Sequence, residues 1–223
     1  MKRASPAVRL SKRMRHLIAL LGAAAAVSAQ SFHYYDYPRH NLTFGAGASS
    51  PRAELTGLFV DRPGISVAYG YRFQRFFQAD MGLDTVFGAG QIRDFLDTPL
   101  GPSRIRDYQF FLPLGGRGIL PLARGRLLIS GGGGGAYLRY TELLHQLSEY
   151  YRLDCPACNA RSGWGYYALV STEAFVDRGR HFRLGVTSKV FRAHTDGDRL
   201  GPVPGFRTRD HWLHIFGQVG FSF

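Results

Sequence analysis

The last ten residues, His214-Ile215-Phe216-Gly217-Gln218-Val219-Gly220-Phe221-Ser222-Phe223, carry a two-residue alternation that runs to the final side chain. Counting back in twos from Phe223 gives Phe221, Val219, Gly217, Ile215 and Leu213, whereas the other register gives Ser222, Gly220, Gln218, Phe216 and His214. A β-strand points successive side chains to opposite faces, so one face here suits hydrocarbon and the other is mixed and largely polar. Free termini fray unless they are tied down. An apolar strand ending flush with the chain is therefore expected to pair within a sheet, and in a closed sheet its partner is the first strand.

The same period recurs upstream and predicts eight strands. The first spans about His40 to Ala48, with Leu42, Phe44, Ala46 and Ala48 opposite Asn41, Thr43, Gly45 and Gly47. The second, Ile65 to Phe73, sets Ile65, Val67, Tyr69, Tyr71 and Phe73 against Ser66, Ala68, Gly70 and Arg72; the third, Phe77 to Phe87, sets Phe77, Ala79, Met81, Leu83 and Phe87 against Gln78, Asp80, Gly82 and Asp84. Period two with one apolar face is the mark of a half-buried strand. The fourth, Arg106 to Ile119, contains Pro113, which cannot donate to a ladder, so a bulge or irregularity is expected there. The fifth, Arg126 to Thr141, holds Gly131 to Gly135 and has no clear facing. The sixth, seventh and eighth run from Trp164 to Val176, His181 to Ala193 and Arg209 to Phe223.

Connections alternate in length. Short turns fall near Gln74-Arg75, Leu122 to Gly125 and Arg178-Gly179-Arg180, and long connections near Ser49 to Gly64, Gly88 to Ile105, Glu142 to Gly163 and His194 to Thr208. Short turns at one end and long loops at the other characterise membrane barrels. Parity then fixes register: if Arg72 and Gln78 both face inward, the hairpin has an odd loop, Gln74-Arg75-Phe76, and Gly70 falls opposite Asp80. Glu173 and Arg183 become diagonal neighbours across the third turn, within reach of long side chains. Buried charges persist when paired, so Arg72, Asp80, Asp84, Arg117, Glu173, Arg183 and Lys189 are expected to form a mixed-charge lumen.

On these residues the stretch His40 to Phe223 resembles the small outer-membrane β-barrels, the OmpA/OmpX-like and opacity-type transmembrane barrels. The resemblance implies an all-β, eight-stranded antiparallel up-and-down transmembrane β-barrel. In that family the terminal assembly signal ends in an aromatic with a hydrophobic residue two before it, matched by Phe223 and Phe221. Five residues before the end, where glycine is common, this chain has Gln218. The resemblance implies the barrel-assembly machinery, outer-membrane lipid and lipopolysaccharide as partners.

The N-terminus fits export. Lys2, Arg3, Arg9, Lys12, Arg13 and Arg15 precede an apolar run, Leu17 to Val27, and a small-x-small site at Val27-Ser28-Ala29. This reads as a signal peptide over 1–29, cleaved after Ala29, followed by an N-terminal periplasmic segment, 30–39, and the barrel, 40–223. A membrane anchor needs about twenty apolar residues, and the run is shorter. Much of the excess of 28 Lys+Arg over 16 Asp+Glu leaves with this leader. The remaining arginines scatter over turns and loops rather than clustering on one face, which argues against nucleic acid. Several of them, Arg93, Arg104, Arg152, Arg161, Arg199 and Arg207, are expected on long extracellular loops, where guanidinium suits phosphate or carboxylate.

Other motifs have plain readings. Cys155 and Cys158 are expected to form a local disulfide, the default in an exported chain; neither a zinc-ligand spacing nor a thioredoxin-like setting accompanies them. Gly131 to Gly135 lacks the Lys-Ser or Lys-Thr of a phosphate loop and is expected to let a narrow barrel curve and to make room for side chains such as Phe111 and Tyr167. Aromatics gather near strand ends, with Phe73, Phe76, Phe77, Phe182, Phe221 and Phe223 at one side, Tyr150, Tyr151, Trp164 and Tyr166 at the other, and Tyr34, Tyr35 and Tyr37 before the first strand, as headgroup-level anchors do.

No cofactor is called for. The leading expectation is a monomeric outer-membrane barrel with a structural or surface-interaction role through its long loops. Two alternatives stand beside it. A lipid-A-modifying enzyme would use His194, Thr195 and Asp196 with Ser188, His211 and His214, although the deacylase pattern wants serine where Asp196 stands. A soluble periplasmic ligand-binding barrel would need an apolar lumen.

Overall fold

The computed structural model describes residues 37–99, 101–144 and 158–223. Expectations about the leader, Ala29, Tyr34, Tyr35, Tyr150, Tyr151, Arg152 and Cys155 lie outside the described residues. Pro38–Phe223 form one compact unit built from β1 (His40–Arg52), β2 (Arg62–Gln74), β3 (Phe77–Phe87), β4 (Phe95–Thr98), β5 (Gly101–Leu122), β6 (Leu127–Leu144), β7 (Ala160–Phe175), β8 (Phe182–Gly197) and β9 (Thr208–Ser222).

All pairs are antiparallel, and two closures make a ring: β9 pairs β1, and β3 pairs β5. The result is a closed eight-stranded barrel. The short β4 stands outside that count, paired among the described residues with the start of β5, whose first residue, Gly101, has a φ of 107° that favours glycine. Partners traced once round the wall run from Phe110 through Thr85, Ile65, Ala46, Gly217, Val186, Thr172 and Ile129 back to the same strand at Leu120. That stagger is what tilts the strands of a closed barrel. Every residue on the path lies on the outward face.

The wall differs from the sequence reading at its first hairpin and in the length of its strands, and it carries the expected irregularity at Pro113. At the first hairpin Gly70 does sit opposite Asp80, but the turn is Arg75-Phe76 alone. Gln74 pairs with Phe77, and the register shifts between Arg72 and Gln74, so the odd residue is absorbed as a bulge. Pro113 produces the expected irregularity without a bulge: it pairs in register with Ala136 of β6, while the β3–β5 ladder lacks the rungs at Gly82 and Leu83, opposite Pro113 and Leu112, and resumes unshifted. The strands also run further at the long-loop end, to Arg52, Gly101, Leu144, Ala160 and Gly197.

The third turn shows how a short connection is held. The Asp177 carboxylate accepts from the backbone N–H of His181 at 3.0 Å and of Phe182 at 2.8 Å, and these bonds hold its pKa below the ordinary aspartate value.

Candidate functional site

Because strand parity sends every second residue inward, the lumen is a stack of tiers. In the tier nearest the short turns, Arg117 Nε donates to Asp80 Oδ2 at 2.6 Å and Arg117 Nη1 stands 3.7 Å from Glu173 Oε1. Arg183 Nη1 meets Glu173 Oε2 at 2.7 Å, and Gln218 and Gln78 donate to the Glu173 and Asp80 carboxylates at 2.8 and 2.6 Å. One level up, Lys189 Nζ reaches both Asp84 oxygens, at 2.6 and 2.9 Å, and Ser66 also donates to that carboxylate. His214 Nδ1 donates to it at 3.2 Å. Asp84 and His214 are completely buried.

The structure thus brings six of the seven sequence-derived charges into two balanced groups. Arg72 is placed differently. It is buried on the inward face of β2, but its Nε donates to the Arg75 carbonyl at 3.1 Å, so it braces the hairpin below the network.

Above the charges lies a tier that the sequence reading did not assemble. Phe59, Phe111, Tyr140, Tyr167, Phe191 and Trp212 fill the bore, with Trp212 donating through Nε1 to the Tyr140 hydroxyl at 3.0 Å. Phe111 meets Trp212 edge-on at a centroid distance of 5.4 Å and His214 at 4.5 Å, as aromatic quadrupoles prefer. Leu55 and Phe59, on the segment between β1 and β2, cap this tier from the loop end. The signal was available: Phe111, Tyr140, Tyr167, Phe191 and Trp212 all occupy inward parity. The glycine run shares in the packing. Gly132 and Gly134 face inward, and a Cβ at Gly132 would fall 2.8 Å from the Arg117 Cβ; Gly131, Gly133 and Gly135 face outward.

A third tier pins the loops. Arg161, assigned to a loop surface on sequence grounds, is buried. β7 begins earlier than expected, which puts Arg161 at an inward position, where its guanidinium donates to the Pro204 carbonyl at 2.7 Å, the Phe206 carbonyl at 3.2 Å and Thr195 and Thr208 Oγ1. Asp107 accepts from the backbone N–H of Gly90 at 2.6 Å and from the Gln109 amide at 2.6 Å. Arg93, Arg199 and Arg207 are exposed on connecting segments, whereas Arg104, expected on a loop, is exposed on the outward face of β5 because that strand begins at Gly101.

The outer wall is apolar along its middle, with Phe44, Val67, Met81, Leu83, Leu114, Val170, Val186 and Ile215 exposed. Aromatics bound this band: Phe73, Phe77, Phe182, Phe221 and Phe223 at the turn end, Phe87, Trp164 and Tyr166 toward the loops. Just beyond the second group, outward positions carry cations, Arg106, Arg192 and Arg209 among them.

The residues of the enzymatic alternative are brought together only in part: His194 and His211 line one outward cavity with Arg192 and Arg209, while Ser188 stands six residues down β8. Ser188, His194 and His211 lie on the outward face, whereas Thr195 and His214 lie inside on other contacts. The bore does not present the apolar lumen of a soluble ligand carrier either, since it holds paired charges toward the turns, packed rings at its middle and the Arg161 and Asp107 networks toward the loops. Among the described residues no cluster of metal-ligating side chains occurs. Cys158 is disulfide-bonded.

Similar architecture occurs in solved structures. Neisserial surface protein A superposes with a TM-score of 0.53 at 10% identity, covering 82% of this chain and 97% of its own. The fold is that of the small outer-membrane β-barrels. The outer membrane protein OprG from Pseudomonas aeruginosa gives a TM-score of 0.48 at 13% identity over 86% and 99% of the two chains, and Ail, the attachment invasion locus protein of Yersinia pestis, 0.44 at 10% over 82% and 99%. No protein-family model matches the chain, and no curated protein matches its sequence. At such identities the likeness concerns architecture, and one architecture hosts many activities.

Proposed function

We propose that this chain is a monomeric outer-membrane barrel that acts as a structural and surface-interaction protein rather than as a conduit. One observation carries the reading: a closed wall whose outward face is a band of hydrocarbon between two aromatic borders, around a bore filled by paired charges and rings. Hydrocarbon cannot satisfy an open sheet edge, and closure removes edges. A barrel of this size has room for side chains and little else. The short-turn end faces the periplasm and the long-loop end the exterior, with Phe221 and Phe223 as the signal read by the assembly machinery and Ala29 as the leader's cleavage site.

The exposed cations of the long-loop end, Arg93, Arg199 and Arg207 on connections and Arg104 on β5, face lipopolysaccharide anions or an extracellular partner. Fractionation tests the location: the protein is expected with outer-membrane vesicles, migrating faster on a denaturing gel unheated than boiled. Recovery from the periplasmic fluid would sink the reading. Planar-bilayer recordings test the bore, with no steady conductance expected. Charge reversal of these four cations tests the interaction, and unchanged surface binding would remove them from it.

A further inference from the structure

Outside the wall, between β2, β3 and the start of β5, lies a groove of about 420 Å³ lined by Arg62, Arg93, Arg104 and Arg106, with Phe87 and Tyr108 at its lower edge. The chain builds it deliberately from three elements. Arg104 and Arg106 occupy alternate positions of β5 on the same outward face as Tyr108, and Tyr108 pairs with Phe87 across the β3–β5 seam. Arg62 opens β2, its Nε donating to the Gly88 carbonyl at 3.3 Å, which orients the guanidinium along the groove. Arg93 rides on the segment after β3, which Asp107 fixes from inside the barrel by accepting from the backbone N–H of Gly90 and Ile92. Gln91, in the same segment, holds a left-handed φ of 55°, a conformation kept only where surroundings impose it.

None of the four guanidiniums has a carboxylate within ion-pair distance among the described residues. The one carboxylate on the lining, Asp107, spends its oxygens on the two backbone amides and on Gln109. Four like charges held on rigid backbone repel one another, and native surfaces intersperse both signs unless a field has a purpose. Arginine offers a planar fork that matches phosphate oxygens two at a time. The shelf beneath is aromatic, Phe87 and Tyr108 meeting edge-on at 5.9 Å, and opens onto the apolar band.

We infer that this groove binds the phosphate groups of an anionic glycolipid of the surrounding leaflet, with Arg62, Arg93, Arg104 and Arg106 on the phosphates and Phe87 and Tyr108 against the sugar and the root of an acyl chain. The inference rests on the outer-membrane reading for its biological setting, but its test does not. A soluble phosphate would use the same cations without needing the shelf; the lipid needs both.

The full chain, folded in detergent micelles, is titrated by native mass spectrometry with bisphosphorylated lipid A and with the same lipid dephosphorylated. The wild type is expected to prefer the phosphorylated form by at least about tenfold, since charge-assisted hydrogen bonds are the strong ones. Arg104→Ala/Arg106→Ala is expected to abolish the preference, and Arg104→Lys/Arg106→Lys to restore part of it. Arg124→Ala/Arg178→Ala, an equal loss of charge at the turn end, leaves it intact. Equal binding of the two lipids by the wild type overturns the proposal whether or not any variant folds. So does a preference that survives Arg104→Ala/Arg106→Ala. Displacement of the lipid by millimolar inorganic phosphate overturns the lipid as occupant and leaves a plain anion site. A protein found in the periplasm would sink the outer-membrane reading and leave these titrations standing.

Discussion

The two halves of the bore solve the same filling problem with opposite chemistry. Toward the short turns, carboxylates and cations meet at 2.6 to 2.7 Å and balance in sign; toward the loops, Phe111, Tyr140, Phe191 and Trp212 close the space by ring packing. A paired charge depends on its partner being present, because removing one member leaves an uncompensated ion away from water. A ring depends on volume, and its loss is graded by how far the neighbours relax. The charged half should therefore fail abruptly when altered and the aromatic half gradually.

The largest effect tests that contrast directly. Asp84→Leu strands Lys189 and is expected to lower the unfolding free energy by about 3–5 kcal/mol in urea titrations, and Asp84→Leu/Lys189→Met to recover most of it. A double variant as weak as the single would show that the contrast is wrong. Next, Gly132→Val, whose Cβ would fall 2.1 Å from the Gly116 carbonyl oxygen and 2.8 Å from the Arg117 Cβ, is expected to cost about 1–3 kcal/mol. Gly135→Val, where a Cβ would meet nothing within 4 Å, is expected to stay within about 0.5 kcal/mol. Equal losses would mean that the crowding at Gly132 is not what makes it glycine. Trp212→Phe keeps a ring but leaves a gap and removes the bond to Tyr140, and is expected to cost about 1–2 kcal/mol without altering the charged tier. The smallest effect lies outside the bore. Asp177 has a lowered pKa in the fold, so its contribution is complete above the ordinary aspartate pKa and disappears as pH falls through the lowered one. The protection of the His181 and Phe182 amides, taken relative to intrinsic exchange at the same pH, should fall there while that of the lumen amides is kept.

Facing was legible in the sequence because a strand offers only two registers, so Phe44, Val67, Met81 and Val186 declare the outside and Asp80, Asp84, Glu173 and Arg183 the inside. Partnership across the bore was less legible. Lys189 on β8 meets Asp84 on β3, strands far apart round the ring, and their encounter depends on the stagger of the whole wall rather than on any local spacing. Arg161 is not legible as a lumen residue because the clear alternation of β7 starts at Trp164, after the inward position that Arg161 holds. The hairpin of β4 escaped notice because Phe95–Thr98 is too short to display a period. His194 reads as chemical beside Thr195 and Asp196, yet neighbours in a strand point opposite ways, so Thr195 turns inward while His194 and Asp196 stay on the outer face.

Counting either way round the ring, β3 and β8 stand diametrically opposed, so the Lys189–Asp84 bond is a crossbar spanning the cylinder. A thin tube squeezed from the side yields by flattening into an ellipse, and a crossbar along one diameter opposes that collapse at its waist. Lateral pressure from crowded neighbours would then be carried by two atoms of one side chain and one of another.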